Sequence, residues 1–296
     1  MTGLIGARHP TMQRLRRLAR RRSARSRAGA YLIEGPTLLE EALDVPTPTE
    51  LPGAAVRPHV DEVVAEPGCP DDLLERAAAA GATVRRVAPG ALARVTDTVT
   101  PQPVAAIARI PDIGLDAAAA SAGPLALVLV GVGDPGNAGT LLRSAEAAGG
   151  GAVIFCDGSV DPYGPKSVRA SAGSLFRLAV VRDASGADAL RAVRRAGLVT
   201  VGTVVRGGTA YDRHDLARPT AVVLGSEAHG LPGEIAGALD AVVAIPMAGR
   251  VESLNVGMAG TILCFESLRQ RRARHPHGRP NQLDGGSHER AGCTAT

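Results

Sequence analysis

Residues 125–143 read LALVLVGVGDPGNAGTLLR, and this stretch decides the fold. Its first six residues are all apolar, which is typical of a strand that is buried on both faces. Its glycines and a proline then form a turn before a helical pattern over residues 138–148, which three consecutive glycines end. Because a second apolar strand follows at 152–156, the stretch predicts a parallel β-α-β unit.

The same alternation of strands and helices continues through the second half of the chain. Further strands are predicted at 176–181, 198–203, 221–224 and 241–245, and helices at 187–196 and 253–269. We therefore predict an α/β domain over residues 125–269. Its sheet is expected to be mostly parallel, with helices on both faces.

The glycines of the opening stretch also match a dinucleotide-binding fingerprint. Gly131, Gly133 and Gly136 form a G-x-G-x-x-G pattern between a strand and a helix, and Asp157 ends the next strand, where it could hold a ribose hydroxyl. The alternative is a tight turn that needs glycine for its backbone angles. This pattern alone leaves an NAD(P)-dependent oxidoreductase open.

The rest of the chain divides into four segments. Residues 29–110 have the pattern of a small α/β domain, and residues 111–124, rich in alanine, are predicted to be a linker. Residues 270–296 are rich in Arg, His, Pro, Gly and Ser and are predicted to be a disordered tail. Residues 1–28 form a basic arm with nine arginines and no acidic residue, although Leu15 and Leu18 are spaced for a short docked helix.

Composition excludes several classes of protein. Aromatic residues are only 2% of the 296 residues, which argues against a module that stacks bases on aromatic rings. No apolar run is long enough to cross a bilayer, and no secretory signal follows the basic start. The four cysteines have no metal-ligand or redox spacing, so we expect a reduced cytoplasmic protein without a metal. The clustered arginines suggest binding to nucleic acid phosphates.

Three motifs in the second half carry polar residues at the ends of predicted strands. The first runs from Asn137 through Gly139 to Arg143, and the second is GSEAHGL at 225–231, which includes Glu227. The third is IPMAGRVESLNV at 245–256. Each motif alone is compatible with turn and cap chemistry, but strand carboxyl ends of a parallel sheet are where such sheets bind ligands.

In this order, the three motifs closely resemble those of the SpoU (TrmH-like) family of RNA ribose 2′-O-methyltransferases, in the SPOUT superfamily. The resemblance covers residues 125–268, and it is specific because three ordered motifs must coincide. Residues 29–110 are similar, more loosely, to the ribosomal-protein-like substrate-binding domain that often precedes this fold. The resemblance implies a deep C-terminal trefoil knot that holds S-adenosylmethionine, and a homodimer with its active site near the subunit interface.

The resemblance also implies roles for individual residues. Arg143 is expected to contact a substrate phosphate and assist deprotonation, and Glu227 to fix Asn137 or its own loop. The expected catalytic set is Asn137, Arg143, Glu227, Ser253 and Asn255. The expected cofactor contacts, largely through backbone groups, are Thr203, Leu224, Gly225, Ile245, Met247 and Leu254. The expected RNA contacts are Arg17, Arg21 and Arg169.

The function implied is 2′-O-methylation of a ribose in structured RNA, with large-subunit (23S) rRNA as the first expected substrate. A tRNA 2′-O-methyltransferase and a non-catalytic RNA-binding ribosome-assembly factor are the alternatives. The oxidoreductase would leave the second and third motifs unexplained.

Overall fold

The computed structural model describes residues 4–45, 58–96, 100–205, 207–250 and 253–274. The N-terminal part holds a four-stranded sheet in the order β1-β4-β2-β3, in which only β2 and β3 are parallel neighbours. Its strands are β1 (Ala30–Glu34), β2 (Val60–Ala65), β3 (Thr83–Arg86) and β4 (Val104–Arg109). Its helices are α1 (Pro10–Arg20), α2 (Arg22–Ala28), α3 (Pro36–Leu43) and α4 (Asp71–Ala79).

Residues 10–28 are built into this small domain, so the predicted basic arm at 1–28 is corrected over that span. In α1, Met12, Leu15 and Leu18 are buried in a cluster with Leu32 of β1 and Ile107 of β4. The apolar residues recur at helical spacing, so one face of α1 covers the sheet while Arg16, Arg17 and Arg20 are exposed. The alternative of a docked helix is therefore the correct one.

The C-terminal part holds a seven-stranded sheet in the order β7-β6-β5-β10-β8-β11-β9, and every neighbouring pair in it is parallel. The strands are β5 (Leu125–Leu129), β6 (Ala152–Cys156), β7 (Ala179–Ala184), β8 (Val199–Thr203), β9 (Thr209–Ala210), β10 (Thr220–Leu224) and β11 (Ala241–Ala244). The helices are α5 (Leu115–Ala120), α6 (Pro135–Ala147), α7 (Pro165–Ala170), α8 (Gly186–Arg195), α9 (Gly233–Gly237) and α10 (Val256–Arg274). The predicted parallel α/β class is confirmed.

Both faces of this sheet are buried, as its continuous apolar strands predict. Leu125, Leu127 and Leu129 of β5 pack in one cluster with residues of α6 and α10, such as Leu141 and Leu263. The alternate residues of β5 pack in a second cluster with residues of α5 and α8. Successive side chains of a strand point to opposite faces, so one apolar strand supplies both clusters.

Several predicted boundaries differ from the structure. The predicted linker at 111–124 contains α5, whose Ala118 and Ala119 are buried against the sheet, so this segment is part of the domain. The strand predicted at 176–181 begins later, as β7 (Ala179–Ala184), because residues 174–176 form a 3₁₀ turn. The last helix begins at Val256, not 253, and continues to Arg274; the remainder of the predicted tail, 275–296, lies outside the described residues. Within the described ranges, no helix has the length and apolar character to cross a membrane.

Charged side chains connect the N-terminal domain to the C-terminal domain. Arg25 of α2 forms a buried ion pair with Asp161, 2.7 Å between Nη2 and Oδ2, and also donates to the carbonyl of Leu18 at 2.7 Å. Both side chains are less than a tenth exposed. The rings of Tyr31 and Tyr163 lie beside this pair, with centroids 5.0 Å apart. A buried pair with satisfied hydrogen bonds fixes the docking geometry, because separating either partner would leave a charge without compensation.

Candidate active site and cofactor cleft

A cleft of about 640 Å³ opens at the carboxyl ends of β8, β10 and β11. Of the expected cofactor contacts, five line this cleft: Thr203, Gly225, Ile245, Met247 and Leu254. Three of the expected catalytic residues also line it: Glu227, Ser253 and Asn255. The second and third motifs therefore meet in the cleft, because parallel strands bring their carboxyl ends to the same edge of the sheet.

The loop of the second motif has a closed, tight conformation. Ser226 and Gly230 exchange two backbone hydrogen bonds, of 3.1 and 2.9 Å, and the backbone N–H of His229 donates to Ser226 Oγ at 3.1 Å. A side chain on Gly225 would place its Cβ 2.2 Å from the carbonyl carbon of Gly230. Glycine is therefore required at 225 for the loop to fold back on the end of β10.

The third motif enters the cleft and then becomes α10. The Asn255 Oδ1 accepts hydrogen bonds from the backbone N–H groups of Gly257 at 2.9 Å and Met258 at 3.3 Å. Asn255 is thus the cap of α10, which is a structural function for a residue that was predicted to be catalytic. Ser253, also predicted to be catalytic, is exposed at the cleft and is not this cap.

Asn137 joins the first motif to the second. Its side-chain Nδ2 donates to Glu227 Oε1 at 2.5 Å, across 90 residues of sequence. The cap of α6 is Asp134, whose Oδ1 accepts from the backbone N–H of Asn137 at 2.8 Å, so Asn137 is not the N-cap that its residue type suggested. The Asn137 side chain therefore connects the start of α6 to the loop of the second motif.

Besides Asn137, two of the predicted catalytic and cofactor residues do not line the cleft. Arg143 is exposed on α6, two turns beyond Asn137, and within the described part of the chain it has neither a hydrogen bond nor an ion pair. The Leu224 side chain is fully buried, and its carbonyl accepts from the N–H of Val130 at 2.8 Å, so Leu224 supports the floor of the cleft. Leu224 was predicted to contact the cofactor, but it is not among the residues that line the cleft.

The three residues predicted to bind RNA have different surroundings. Arg17 is exposed on α1 and Arg21 is exposed at the junction of α1 and α2. Arg169 forms an ion pair of 2.9 Å with Glu34, whose side chain is 2% exposed. Arg169 therefore contributes to the contact between the two domains, and its predicted binding to RNA stays a prediction.

Sequence reasoning missed part of the cleft. Val204 and Val205 after β8 and Ala259 on α10 complete its lining. The two valines had a weak signal, because they directly follow a predicted strand that ends at 203, whereas Ala259 had none apart from its position on the last helix.

The glycine fingerprint forms a turn that the protein closes with its own side chain. Gly131 has φ +72°, and its N–H donates to Ser159 Oγ at 3.0 Å. Ser159 in turn donates to the carbonyl of Leu129 at 3.0 Å. A donor that a pyrophosphate would need is thus occupied, which favours the interpretation of these glycines as a tight turn. Asp157 is exposed at the end of β6, outside the cleft.

The fold and the cleft define a class: a parallel α/β domain with a site for a nucleotide-sized ligand, docked to a smaller domain with a basic helix. Comparison with known proteins gives the family. Residues 124–265 match the SpoU rRNA Methylase family, and residues 9–106 match the MRM3-like substrate binding domain. The chain is 33% identical over 243 residues to the 23S rRNA (guanosine(2553)-2'-O)-methyltransferase RlmP of Bacillus subtilis (strain 168), covering 81% of this chain and 89% of that one. The chain belongs to the SpoU rRNA methylase family.

Solved structures of relatives share the whole architecture. An AdoMet-bound rRNA methyltransferase from Sinorhizobium meliloti superposes with a TM-score of 0.78 at 30% identity, covering 90% of this chain and 97% of that chain. The SpoU methyltransferase AviRb from Streptomyces viridochromogenes, in complex with AdoMet, has a TM-score of 0.77 at 30% identity, covering 90% and 100%. The expected family, its fold class and S-adenosylmethionine as its cofactor are confirmed.

The cleft of this chain fits that cofactor. Its volume lies within the range of about 300–1,000 Å³ that is usual for small-molecule sites. Its walls combine apolar side chains, such as Ile245 and Leu254, with Gly225 and the hydroxyl of Ser253. Apolar walls with a few polar groups suit an adenosine.

Proposed function

We propose that this chain transfers the methyl group of S-adenosylmethionine to the 2′-hydroxyl of a ribose in large-subunit ribosomal RNA. The observation that carries the proposal is the hydrogen bond of 2.5 Å between Asn137 and Glu227, which connects the start of α6 to the loop that lines the cleft. The relatives named above, one acting on 23S rRNA, support this substrate class.

The cofactor would be held by the five predicted contacts that line the cleft: Thr203, Gly225, Ile245, Met247 and Leu254. Bound S-adenosylmethionine supplies a methyl group on an electrophilic sulfonium. The remaining steps belong to the chain. Glu227 fixes the Asn137 amide, and Asn137 orients the ribose at the mouth of the cleft. Such positioning is a major source of rate enhancement for a displacement that needs an in-line approach.

Arg143 would bind a phosphate next to the target ribose. An arginine side chain stays protonated in proteins, so it suits a phosphate clamp and stabilises negative charge on the attacking oxygen better than it accepts a proton. Since Arg143 lies outside the cleft of its own subunit, we propose that it acts on the cleft of a partner subunit.

The surface of α10 supports such a homodimer. Met258 and Phe265, two turns apart on this helix, are 61% and 46% exposed. Arg143 emerges beside this face, because its neighbour Ser144 is 2.7 Å from Thr261 on α10 through their hydroxyl oxygens. Large apolar side chains on one exposed helix face favour an interface, and a two-fold axis there would bring each Arg143 toward the other subunit.

Complementation between inactive subunits tests the action across the interface. An Arg143→Ala subunit mixed with a subunit that lacks cofactor binding should recover roughly a quarter of wild-type transfer after exchange, since half of the dimers then contain one intact composite site. No recovery, with dimers demonstrated by sedimentation, would place Arg143 in its own subunit's site.

Two further features belong to the proposal. The trefoil knot is supported by the sheet order, in which β10 lies between β5 and β8 and the segment after β11 returns to the same cleft before α10. A crystal structure that traces residues 203–274 without a gap tests this threading.

The proposed rRNA substrate implies a cytoplasmic reaction, which fractionation of cells tests.

The direct experiment measures transfer of labelled methyl groups from S-adenosylmethionine to rRNA and tRNA isolated from a strain that lacks this protein. We expect label in large-subunit rRNA and none in tRNA. Label only in tRNA would show that the substrate is tRNA and not rRNA. No label in either RNA, and no binding of S-adenosylhomocysteine in a thermal-shift assay, would favour the non-catalytic assembly factor.

A further inference from the structure

A second cleft, of about 260 Å³, lies between the two domains. Its walls come from the end of α1, from α2, from the start of α6 and from the segment around α7. Four basic side chains line it against a single carboxylate: Arg20, Arg25, Lys166 and Arg169, with Asp161 as the acid. Its lining is therefore strongly cationic.

Two of the four basic residues form ion pairs with buried carboxylates. Arg25 is neutralised by Asp161 and Arg169 by Glu34, so these two hold the domains together. Arg20 and Lys166 are both exposed. Lys166 makes no hydrogen bond or ion pair with any residue that the structure describes.

Lys166 is unusual in two respects. It is the only lysine in the 296 residues; the other 32 of the 33 Lys and Arg residues are arginines. It also lies in a cleft whose one lining carboxylate, Asp161, is already paired with Arg25, so no acid of the lining compensates its charge. A ligand with negative charge would explain a cation at this place.

The position of this cleft relates it to the reaction site. It adjoins Pro135 of α6 and Asp161 after β6, so it lies at the carboxyl edge of the same sheet as the cofactor cleft. In the strand order, β6 and β5 adjoin β10 and β8, so segments that line the two clefts follow neighbouring strands of one sheet edge. Asn137, two residues after Pro135, lies between them and contacts Glu227 of the cofactor cleft. A nucleic acid strand along this edge would pass both clefts within a few nucleotides.

We propose that the interdomain cleft binds a backbone phosphate of the substrate RNA near the target nucleotide, with the Lys166 ammonium as its contact. This inference rests on the proposed function, because it takes RNA as the substrate. A phosphate held here and a ribose held at Asn137 would set the direction in which the RNA strand crosses the edge. The rigid domain contact through Arg25 would keep the distance between these two points constant.

The first test uses the single lysine and needs no variant. The wild-type protein is acylated with an amine-selective ester, with and without large-subunit rRNA transcribed in vitro, and the Lys166 peptide is quantified by mass spectrometry. We expect rRNA to slow the modification of Lys166 several-fold, and raised salt, which dissociates the RNA, to abolish the protection. Equal modification with and without bound rRNA would overturn the proposal.

The second test compares variants by RNA affinity as a function of salt. Lys166→Gln should weaken the Kd for rRNA about tenfold or less and reduce the slope of log K against log salt by about 0.7–0.9. Lys166→Arg should restore both values. Arg218→Gln is the matched control, because Arg218 is exposed two residues before β10, at the opposite edge of the sheet.

These measurements separate the inference from the proposed function. A wild-type Kd and salt slope for Lys166→Gln would overturn the phosphate site even if methyl transfer is demonstrated. Protection of Lys166 and a reduced slope would support the site even if the wild-type protein transfers no methyl group to rRNA, in which case the proposed function alone would fail.

Discussion

Gly225→Ala is the sharpest single perturbation of the cofactor cleft. The added Cβ would lie 2.2 Å from the carbonyl carbon and 2.4 Å from the carbonyl oxygen of Gly230, and 2.5 Å from the nitrogen of Leu231. Favourable contacts between carbon atoms lie at about 3.5–4.0 Å, so the loop must move by more than an ångström. All three neighbours are backbone atoms, which no change of rotamer can displace. Such overpacking costs about 1–3 kcal/mol.

The loop that must move forms a wall of the cleft, so this cost should fall on cofactor binding. A cost of 1.4 kcal/mol corresponds to a tenfold change in Kd, and we expect the Kd for S-adenosylhomocysteine to rise by about 5- to 150-fold. Isothermal titration measures this change, and circular dichroism checks that the variant is folded.

Two other glycines of the same region provide controls. Gly233→Ala introduces a Cβ with no neighbour within 4 Å and should leave the Kd unchanged. Gly230→Ala also meets no neighbour, but Gly230 has φ +66°, so we expect an intermediate effect from about 1–2 kcal/mol of backbone strain. A folded Gly225→Ala protein with a wild-type Kd would refute the assignment of this loop to the cofactor site.

Four further outcomes are expected. Arg143→Ala should retain the wild-type melting temperature and cofactor Kd but lose methyl transfer at least 100-fold, and wild-type turnover would refute its role. Arg17→Gln combined with Arg21→Gln should weaken RNA binding and lower its salt slope by about 1.4–1.8 without altering stability; an unchanged slope would show that this face of α1 does not contact RNA. The pKa of Glu62 is lowered, because hydrogen bonds from three donors outweigh the opposing effect of burial. Glu62→Gln should therefore cost about 1–2 kcal/mol of unfolding free energy at pH 7. The difference should vanish as the pH falls through the lowered pKa of the folded state, as urea unfolding at pH 7 and pH 3 would reveal. Burial raises the pKa of the Cys264 thiol to about 12, so maleimide at pH 8 should label it only after unfolding, and rapid labelling of the native protein would contradict its burial.

The parallel sheet and the meeting of the three motifs could be predicted from the sequence, for a physical reason. A strand buried on both faces is apolar throughout, as in β5, and the carboxyl ends of parallel strands share one edge. Residues that follow such strands, such as Gly225 and Ile245, must therefore come together. The hydrogen bond between Asn137 and Glu227 follows from the same placement.

Other features depend on packing between distant segments, which local patterns do not encode. The arginine-rich sequence of α1 indicated a solvated arm, but three apolar residues on one face, including Leu15, are enough to bury it on the small sheet. The alanines of α5 indicated a linker, yet small side chains let this helix approach the large sheet closely. The family resemblance implied an RNA contact for Arg169, but its ion-pair partner Glu34 lies 135 residues away in sequence, which no local pattern indicates.

Arg143 shows the limit of carrying a role over by position. The motif identifies the residue correctly on α6, but within one subunit the residue lies on the outer surface, away from the cleft. In the proposed homodimer, the partner subunit would supply the cleft on which Arg143 acts. Neither a single sequence nor a single subunit shows such a pairing, because it depends on contacts between subunits.

The most direct test of the proposed function is the chemical identity of the methylated product. Large-subunit rRNA from a strain that lacks this protein is incubated with the protein and labelled S-adenosylmethionine, hydrolysed to nucleosides and analysed by mass spectrometry. We predict that the label resides in one 2′-O-methylnucleoside, in an alkali-resistant dinucleotide before complete digestion, and that Asn137→Ala abolishes it. Label on a base, or rRNA without label in the presence of bound cofactor, would contradict ribose methylation of ribosomal RNA by this chain.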